Sequence, residues 1–207
     1  MDYGTAGFTA ALSVYKFIDS VDKNMGDVLV TGGTGGVAVI ATKILIKLGY
    51  SVVVSTGKLE EQKEVLLNLG VKDVIHRSEV DDNSGRPLLR PRWAGVIDTV
   101  GGNTLATAIK TTNYCGAVTT CGNAGGVDFT SSVYPFILKG ITLYGIDSVD
   151  CPMNLRLKIW DLLSNEWKLD DLDDMVNVVS LEELNDSIDS IMAVNHVGRT
   201  VVDLEKI

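Results

Sequence analysis

One short run sets the expected architecture of this 207-residue chain: Val30-Thr31-Gly32-Gly33-Thr34-Gly35-Gly36-Val37-Ala38. Within it, Gly33, Gly35 and Ala38 have the G-x-G-x-x-G/A spacing, in which small residues let the backbone turn tightly and approach a pyrophosphate at a helix N-terminus. The run follows a β-branched segment and opens the most regular helical pattern in the chain, so it predicts the strand–loop–helix of a dinucleotide site. A tight turn without a ligand is the alternative. No Gly-Lys-Ser/Thr follows the run, which disfavours a P-loop NTPase.

Short strands alternate with helical patterns on both sides of this run. One apolar stripe at helical spacing comprises Val37, Ile40, Ala41, Ile44, Leu45 and Leu48. Gly49 ends that helix, and Gly70 ends a second helix over 59–69. Continuous apolar strands are predicted at 28–30, 52–54, 74–75, 96–97, 117–118 and 141–144, a pattern typical of a sheet covered on both faces. The sequence therefore predicts an α/β fold, with a Rossmann-type doubly wound parallel sheet that binds ligands at the carboxyl ends of its strands.

The pattern changes after residue 148. Helices are predicted near 153–163 and 181–192, the second with the capping-box spacing of Ser180 and Glu183. A final strand is predicted at 199–202. We therefore expect a cofactor-binding domain over 1–148, followed by a C-terminal segment of helices and a strand over 149–207.

Composition excludes several classes of function. A net charge of −9 argues against nucleic acid as a partner, because phosphate binding needs a concentrated basic surface. No run of about 20 apolar residues exists that could span a membrane. Three cysteines without a CxxC pair disfavour a disulfide framework and a structural zinc site, and favour a cytoplasmic protein. His76 and His196 have no partners at metal-binding spacing, so no metal is expected. No nucleophilic triad is evident, and the catalytic residues stay unidentified.

The end of the second predicted strand indicates which dinucleotide would bind. An NAD site usually places a carboxylate there to bond the ribose hydroxyls. Here Thr56, Gly57 and Lys58 follow the strand, and the first carboxylate is Glu60. Hydroxyl donors and a cation suit a 2′-phosphate, which favours NADPH. Lys58 as an ordinary exposed lysine is the alternative, and Arg77, after the third strand, is expected either at the adenine and its phosphate or in solvent.

Several segments taken together resemble the YhdH/acryloyl-CoA-reductase-like branch of the medium-chain dehydrogenase/reductase superfamily, also described as quinone-oxidoreductase-like. They occur in family order over nearly the whole chain: residues 4–10, 30–37, 93–101, 113–114, 121–122, 124–126, 135–138, 145–149 and 198–200. The resemblance implies zinc-independent, NADPH-dependent reduction of an activated carbon–carbon double bond. The small-molecule substrate would be an enoyl thioester such as acryloyl-CoA, or a quinone-like enone.

The same resemblance implies a set of cofactor contacts. Pyrophosphate contacts correspond to Thr34, Gly35, Gly36 and Val37, and 2′-phosphate contacts to Thr56, Gly57 and Lys58. Arg77 corresponds to the arginine on the adenine side. Three further contacts correspond to Asn123, Ile137 and Ser148. A cofactor-binding asparagine of the family aligns with Val194, while Asn195 lies one place on, so we carry over no contact there.

Members of this branch carry an N-terminal GroES-like lobe that supplies the substrate wall and a tyrosine near the nicotinamide. This chain begins at the segment that follows the lobe, so we expect it to be the cofactor-binding portion, inactive by itself. A non-catalytic NADPH-binding or sensor module is the rival function. A short-chain dehydrogenase is disfavoured, because Tyr134 is followed four residues later by Leu138 in place of lysine. The substrate and the oligomeric state stay open, a homodimer being one option.

Overall fold

The computed structural model describes residues 3–170, 172, 176–193 and 197–206. Its centre is a six-stranded parallel sheet in the order β3-β2-β1-β4-β5-β6. The strands are β1 (Val28–Val30), β2 (Val52–Thr56), β3 (Asp73–His76), β4 (Trp93–Asp98), β5 (Thr112–Thr120) and β6 (Thr142–Gly145). This order reverses between β1 and β4, which confirms the predicted Rossmann-type doubly wound sheet.

Helices cover both faces of this sheet. They are α1 (Gly4–Ile18), α2 (Gly36–Lys47), α3 (Leu59–Asn68), α4 (Gly102–Thr111), α5 (Tyr134–Lys139), α6 (Met153–Ser164) and α7 (Leu184–Met192). Val28 and Val30 point into the core beneath α1 and α2, while Leu29 points into a second core beneath α4. Both faces of β1 are therefore buried, which explains its continuous apolar run. Within the described residues, no helix is both long and apolar enough to cross a membrane.

Helix α1 was not evident from periodicity. Nine of its fifteen residues are buried, among them Phe8 and Phe17. The helix lies between the sheet, α2 and α6, and its eight consecutive residues from Gly7 to Val14 are all buried. A methyl group at Gly95 of β4 would lie 2.5 Å from the Phe17 ring, which shows how closely α1 packs on the sheet.

The C-terminal segment contributes to the first core and adds a small sheet of its own. Ile159, Leu163 and Trp167 are buried with α1. Strand β7 (Val176–Val179), which the sequence did not indicate, pairs in parallel with the predicted β8 (Arg199–Val202). The division at 148/149 stays a prediction, since it describes a change of pattern along the chain.

Helix α7 begins three residues later than predicted. The expected capping-box bonds are present, because the Ser180 amide donates to Glu183 Oε2 at 2.8 Å and the Glu183 amide donates to Ser180 Oγ at 3.4 Å. Residues 181–183 form a bend and turn between those two partners, and the helix follows at Leu184. The spacing of Ser180 and Glu183 therefore predicted the capping box correctly, but the predicted start of the helix was too early.

A buried carboxylate fixes the carboxyl edge of the sheet. Asp98, fully buried at the end of β4, accepts hydrogen bonds from the hydroxyls of Thr31 at 2.8 Å and Thr120 at 3.1 Å. The amides of Val100 and Gly101 donate to the same carboxylate at 3.3 and 2.9 Å. Because Thr31 follows β1 and Thr120 ends β5, one side chain connects three neighbouring strand ends. A buried charge is tolerated only with such a complement of donors.

Asp98→Asn is expected to change how stability depends on pH. Burial raises the pKa of Asp98 above its ordinary 3.8, although the four donors oppose the shift. Folding therefore makes the ionisation of Asp98 less favourable than in the unfolded chain, so the contribution of Asp98 to stability is fully present below the unfolded pKa and is lost as pH rises through the folded one. The free energy of unfolding of the wild type minus that of Asp98→Asn should thus fall as pH rises above about 4. Denaturant titrations at several pH values measure this difference.

Asp128→Asn, on an exposed loop, is the control for the loss of one carboxylate. A wild-type-minus-Asp98→Asn difference that stays constant or grows with pH would contradict a raised pKa at Asp98.

Candidate dinucleotide site

The glycine loop is pressed onto the neighbouring strand. The Gly33 amide donates to the carbonyl of Ser55 in β2 at 2.9 Å, and a methyl group at Gly33 would overlap Val54 Cγ1. Gly32 has φ +65°, a conformation in which other residues are strained. The loop can therefore follow this path only with glycine at these two positions.

The N-terminus of α2 is open to solvent. Gly35 is exposed and precedes the first helical residue with φ −78° and ψ 151°, and its amide donates to Gly32 at 2.9 Å. Thr34, Gly36 and Val37 are half-buried around it. The first turn carries no acidic residue. Since the first amides of a helix have no intrahelical acceptor, this end of α2 has the chemistry of an anion cradle.

The C-terminal strand reaches this cradle. The Gly198 amide donates to the carbonyl of Thr34 at 3.0 Å, and Gly35 and Gly198 form a parallel β-bridge. The aliphatic stem of Arg199 covers Gly36, where an added methyl group would lie 2.6 Å from Arg199 Cγ. In the sequence, Gly198 and Arg199 are indicated only by the family resemblance. No local pattern could have placed them beside a glycine loop so distant in the chain.

The ends of β2 and β3 bring together the residues expected at a 2′-phosphate. Thr56 is buried, its Oγ1 accepts from the amide of Lys58 at 3.1 Å, and Lys58 precedes α3. A methyl group at Gly57 would lie 3.1 Å from Arg77 Cδ, so this arginine lies against Gly57. No carboxylate occurs from Thr56 to Lys58, although Glu60 and Glu61 occupy the first turn of α3. The cations at 58 and 77 therefore flank one strand end.

In the other half of the same edge, formed by β4–β6, the loops after β4 and β5 are in close contact. The Gly125 amide donates to the carbonyl of Val100 at 2.7 Å. A methyl group at Gly122 would overlap the carbonyl of Thr99. Asn123 is exposed at the top of this pair of loops. Its backbone path is thus fixed by glycines on both sides, while its side chain faces outward.

The last two predicted contacts are Ile137, on the helix between β5 and β6, and Ser148, beyond the end of β6. Ile137 is 68% exposed on α5, and Ser148 follows β6. Ser148 Oγ and Thr9 Oγ1 are hydrogen-bonded at 2.9 Å. Ser148 also lines a cavity of about 450 Å³ with Tyr3, Gly4, Thr5, Phe8, Arg156 and Trp160. The predicted contacts that follow β1, β2, β3, β5 and β6 thus lie at the carboxyl ends of those strands in separate clusters, whereas Ile137 lies on α5.

The described residues show no nucleophile or metal-binding group at this edge. Burial raises the pKa of the Cys121 thiol to about 11, which keeps it protonated at neutral pH. His76 Nδ1 is hydrogen-bonded to Ser78 Oγ at 2.7 Å. In the described part of the chain, no three His, Cys, Asp or Glu side chains are grouped so that they could hold a metal ion. Val194, Asn195 and His196 lie outside the described residues.

Two solved structures with a bound cofactor and one curated enzyme are similar to this chain. The Bacillus subtilis protein YhfP, whose structure was determined with NAD bound, is 44% identical with a TM-score of 0.93; the match covers 99% of this chain and 62% of YhfP. Escherichia coli K-12 YhdH with bound NADPH is 39% identical with a TM-score of 0.92, covering 98% and 62%. The acrylyl-CoA reductase AcuI of Ruegeria pomeroyi is 39% identical over 205 residues, covering 99% and 62%. The chain thus spans less than two thirds of the length of these relatives.

A family model described as zinc-binding dehydrogenase matches residues 36–165, from the start of α2 to the end of α6. The matched range contains Gly36 and Val37 of the anion cradle, the ends of β2 and β3 and the interlocked loops, whereas Thr34 and Gly35 precede it. Among the described residues of this range, no three His, Cys, Asp or Glu side chains are grouped so that they could hold a metal ion. The chain belongs to the zinc-binding dehydrogenase family, within the YhdH-like branch of the medium-chain dehydrogenase/reductase superfamily.

Proposed function

We propose that this chain binds NADPH along the carboxyl edge of its sheet, and that the protein of which it is the cofactor-binding portion reduces an activated carbon–carbon double bond. The observation that carries the proposal is the pairing of an open α2 N-terminus with a cationic, carboxylate-free strand end at Thr56–Lys58. In a doubly wound sheet, the two halves of a dinucleotide lie on opposite sides of the point where the strand order reverses. The adenosine half would lie over β1–β3 and the nicotinamide half over β4–β6.

The pyrophosphate would lie at the start of α2. Thr34, Gly35, Gly36 and Val37 surround that end, where backbone amides and the helix dipole favour an anion. Arg199, whose stem covers Gly36, adds a positive charge beside the same turn. Because the glycines have no side chains, a ligand could approach the backbone closely. At exposed Gly35 a tight turn by itself would not require glycine, so a bound pyrophosphate is the better reason for one there.

The 2′-phosphate would lie between Lys58 and Arg77. Thr56 orients the Lys58 backbone, and Gly57 leaves room for the Arg77 stem. NADPH bound to YhdH supports this choice. NAD bound to YhfP shows that a similar fold also accepts the unphosphorylated cofactor, so the preference depends on these particular side chains.

The nicotinamide half would contact Asn123, Ile137 and Ser148. When bound, NADPH would supply a hydride to the β-carbon of an enoyl thioester or a quinone-like acceptor. The contribution of the chain's own residues is to orient the ring: the interlocked loops fix Asn123, α5 presents an apolar surface at Ile137, and α1 fixes Ser148. The name of AcuI supports an enoyl thioester as substrate, whereas YhfP carries a quinone oxidoreductase name.

A non-catalytic NADPH-binding module is the second candidate, because the candidate site consists of residues expected to contact the cofactor and no catalytic residue is identified in it. Assaying NADPH oxidation with acrylyl-CoA and with a quinone tests this candidate, since turnover by this chain would exclude a non-catalytic module. Such turnover would also contradict the expectation that a cofactor-binding portion binds without reacting. Assembly as a homodimer stays a prediction, which sedimentation would test.

Gly35→Ala should separate a ligand-binding loop from a structural turn. A methyl group at Gly35 would meet only the Gly32 carbonyl, at 3.3 Å, so the free energy of unfolding should change by less than about 1 kcal/mol. The same methyl group would crowd a pyrophosphate, and NADPH affinity should fall at least tenfold. Gly33→Ala is the matched comparison, because it overlaps buried Val54 and should cost about 1–3 kcal/mol of stability. Thermal unfolding and calorimetric titration measure the two quantities.

If Gly35→Ala binds NADPH as tightly as the wild type, the glycine loop is a structural turn that does not contact the pyrophosphate.

Lys58→Ala should weaken NADPH binding by about tenfold and leave NADH binding almost unchanged. The reason is that one charge-assisted contact in a partly exposed site contributes roughly 1.5 kcal/mol after screening. Lys58→Glu should invert the preference, because it places a like charge against the phosphate and supplies a ribose acceptor. Fluorescence titration of both cofactors measures the ratio. Lys63→Ala, an exposed lysine on the same helix, is the control.

If Lys58→Ala leaves the NADPH-to-NADH affinity ratio unchanged, the 2′-phosphate does not contact Lys58, and Arg77 is the next residue to replace. Equal wild-type affinities for the two cofactors would overturn the NADPH preference.

A further inference from the structure

Arg156 of α6 contacts the loop that carries Ser148. Its Nη2 donates to the carbonyl of Ser148 at 2.8 Å and to that of Val149 at 3.1 Å. The guanidinium carbon lies 4.6 Å from the centre of the Phe8 ring of α1, a cation–π distance. One planar side chain therefore connects α6, α1 and the loop after β6.

The same loop is held at two further points. Ser148 Oγ is hydrogen-bonded to Thr9 Oγ1 of α1 at 2.9 Å. Asp147 Oδ1 accepts from the amides of Val149 and Asp150 at 2.9 and 3.1 Å. Asp147 thus shapes the loop internally, while Thr9 and Arg156 fix its position against the two helices.

The loop needs such support because of where it lies. Strand β6 is at the edge of the sheet and pairs only with β5, so the residues beyond it have a neighbouring strand on one side. Ser148 is half-buried and Val149 is exposed. A contact residue on such a segment orients a ligand only if its backbone is fixed beforehand, since ordering it on binding would cost affinity.

We propose that Arg156 is a positioning residue for the nicotinamide half of the cofactor, acting through Ser148. The inference rests on the proposed NADPH function. Arg156 donates charged hydrogen bonds to two carbonyls and so fixes the backbone of Ser148 and Val149 beyond β6, while Thr9 holds the Ser148 hydroxyl. Arg156 does not contribute to the adenosine half, whose contacts are at the ends of β1, β2 and β3.

Lys158 offers a matched control two residues further along α6. Its Nζ lies 4.7 Å from the centre of the Tyr15 ring of α1 and donates to the Tyr15 hydroxyl at 2.7 Å. Both cations therefore link α6 to an aromatic residue of α1, while Arg156 also bonds the Ser148 loop. Replacing each cation by methionine removes the charge and keeps an unbranched side chain with a helix propensity similar to that of arginine and lysine.

The test measures two ligands for each variant. NADPH occupies both halves of the site, whereas adenosine 2′,5′-bisphosphate carries the adenine and 2′-phosphate without a nicotinamide. In Arg156→Met, NADPH affinity should fall about tenfold, the equivalent of one lost charge-assisted contact, while bisphosphate affinity stays within about twofold. In Lys158→Met, both affinities should stay within about twofold of wild type. Arg156→Lys keeps one charged donor and should fall between the wild type and Arg156→Met for NADPH alone.

Melting temperatures of each variant set the titration temperature, so that every sample is folded. If Arg156→Met does not fold, Arg156→Lys carries the test by itself. An equal loss for both ligands, no loss for NADPH, or a similar NADPH loss in Lys158→Met would overturn the inference and assign Arg156 to helix packing. If the wild type binds neither ligand, the proposed function fails; if it binds both and the Arg156 variants do as well, only this inference fails.

Discussion

The carboxylate of Asp98 is the interaction on which the candidate site depends. It accepts four hydrogen bonds from residues at the ends of β1, β4 and β5. These strands meet where the strand order reverses, so one buried group fixes the two halves of the crevice relative to each other. Without it, the Thr31 hydroxyl and the Gly101 amide would be left buried and unpaired, at a cost of about 1–3 kcal/mol per group. The edge is therefore built before any ligand arrives, which is the condition for orienting a cofactor.

Close backbone approach extends this rigidity into the loops. Gly33 lies against Val54 in one half, and Gly122 lies against Thr99 in the other. At both positions a side chain would displace backbone or a fully buried neighbour. Glycine at these positions thus serves packing, whereas exposed Gly35 has no such packing role and is the glycine that a ligand would explain.

The features that the sequence predicted correctly are those determined by interactions between residues close together in the chain. The glycine run, the α2 stripe and the cation at the end of β2 each depend on neighbours within a few residues, and the structure placed all three as expected. Helix α1 was not predicted, and the start of α7 was placed too early because a capping box specifies two bonds without specifying the turn between them. Arg199 was indicated only by the resemblance, and nothing in the sequence indicated Arg156. Their partners are brought to them only by the tertiary fold.

Those two arginines show how the C-terminal segment takes part in the site. Both lie beyond the predicted division at 148/149, yet the stem of Arg199 covers the glycine loop and Arg156 bonds the Ser148 loop. In the proposed cofactor placement, the first contact would serve the half of the crevice where charge provides affinity, through the pyrophosphate, the helix dipole and the cations at 58 and 77. The second would serve the half where the ligand is nearly neutral and orientation must come from a fixed backbone. The charge of Arg156 is directed at the protein's own carbonyls, so its contribution to that half would be to hold the Ser148 backbone in place.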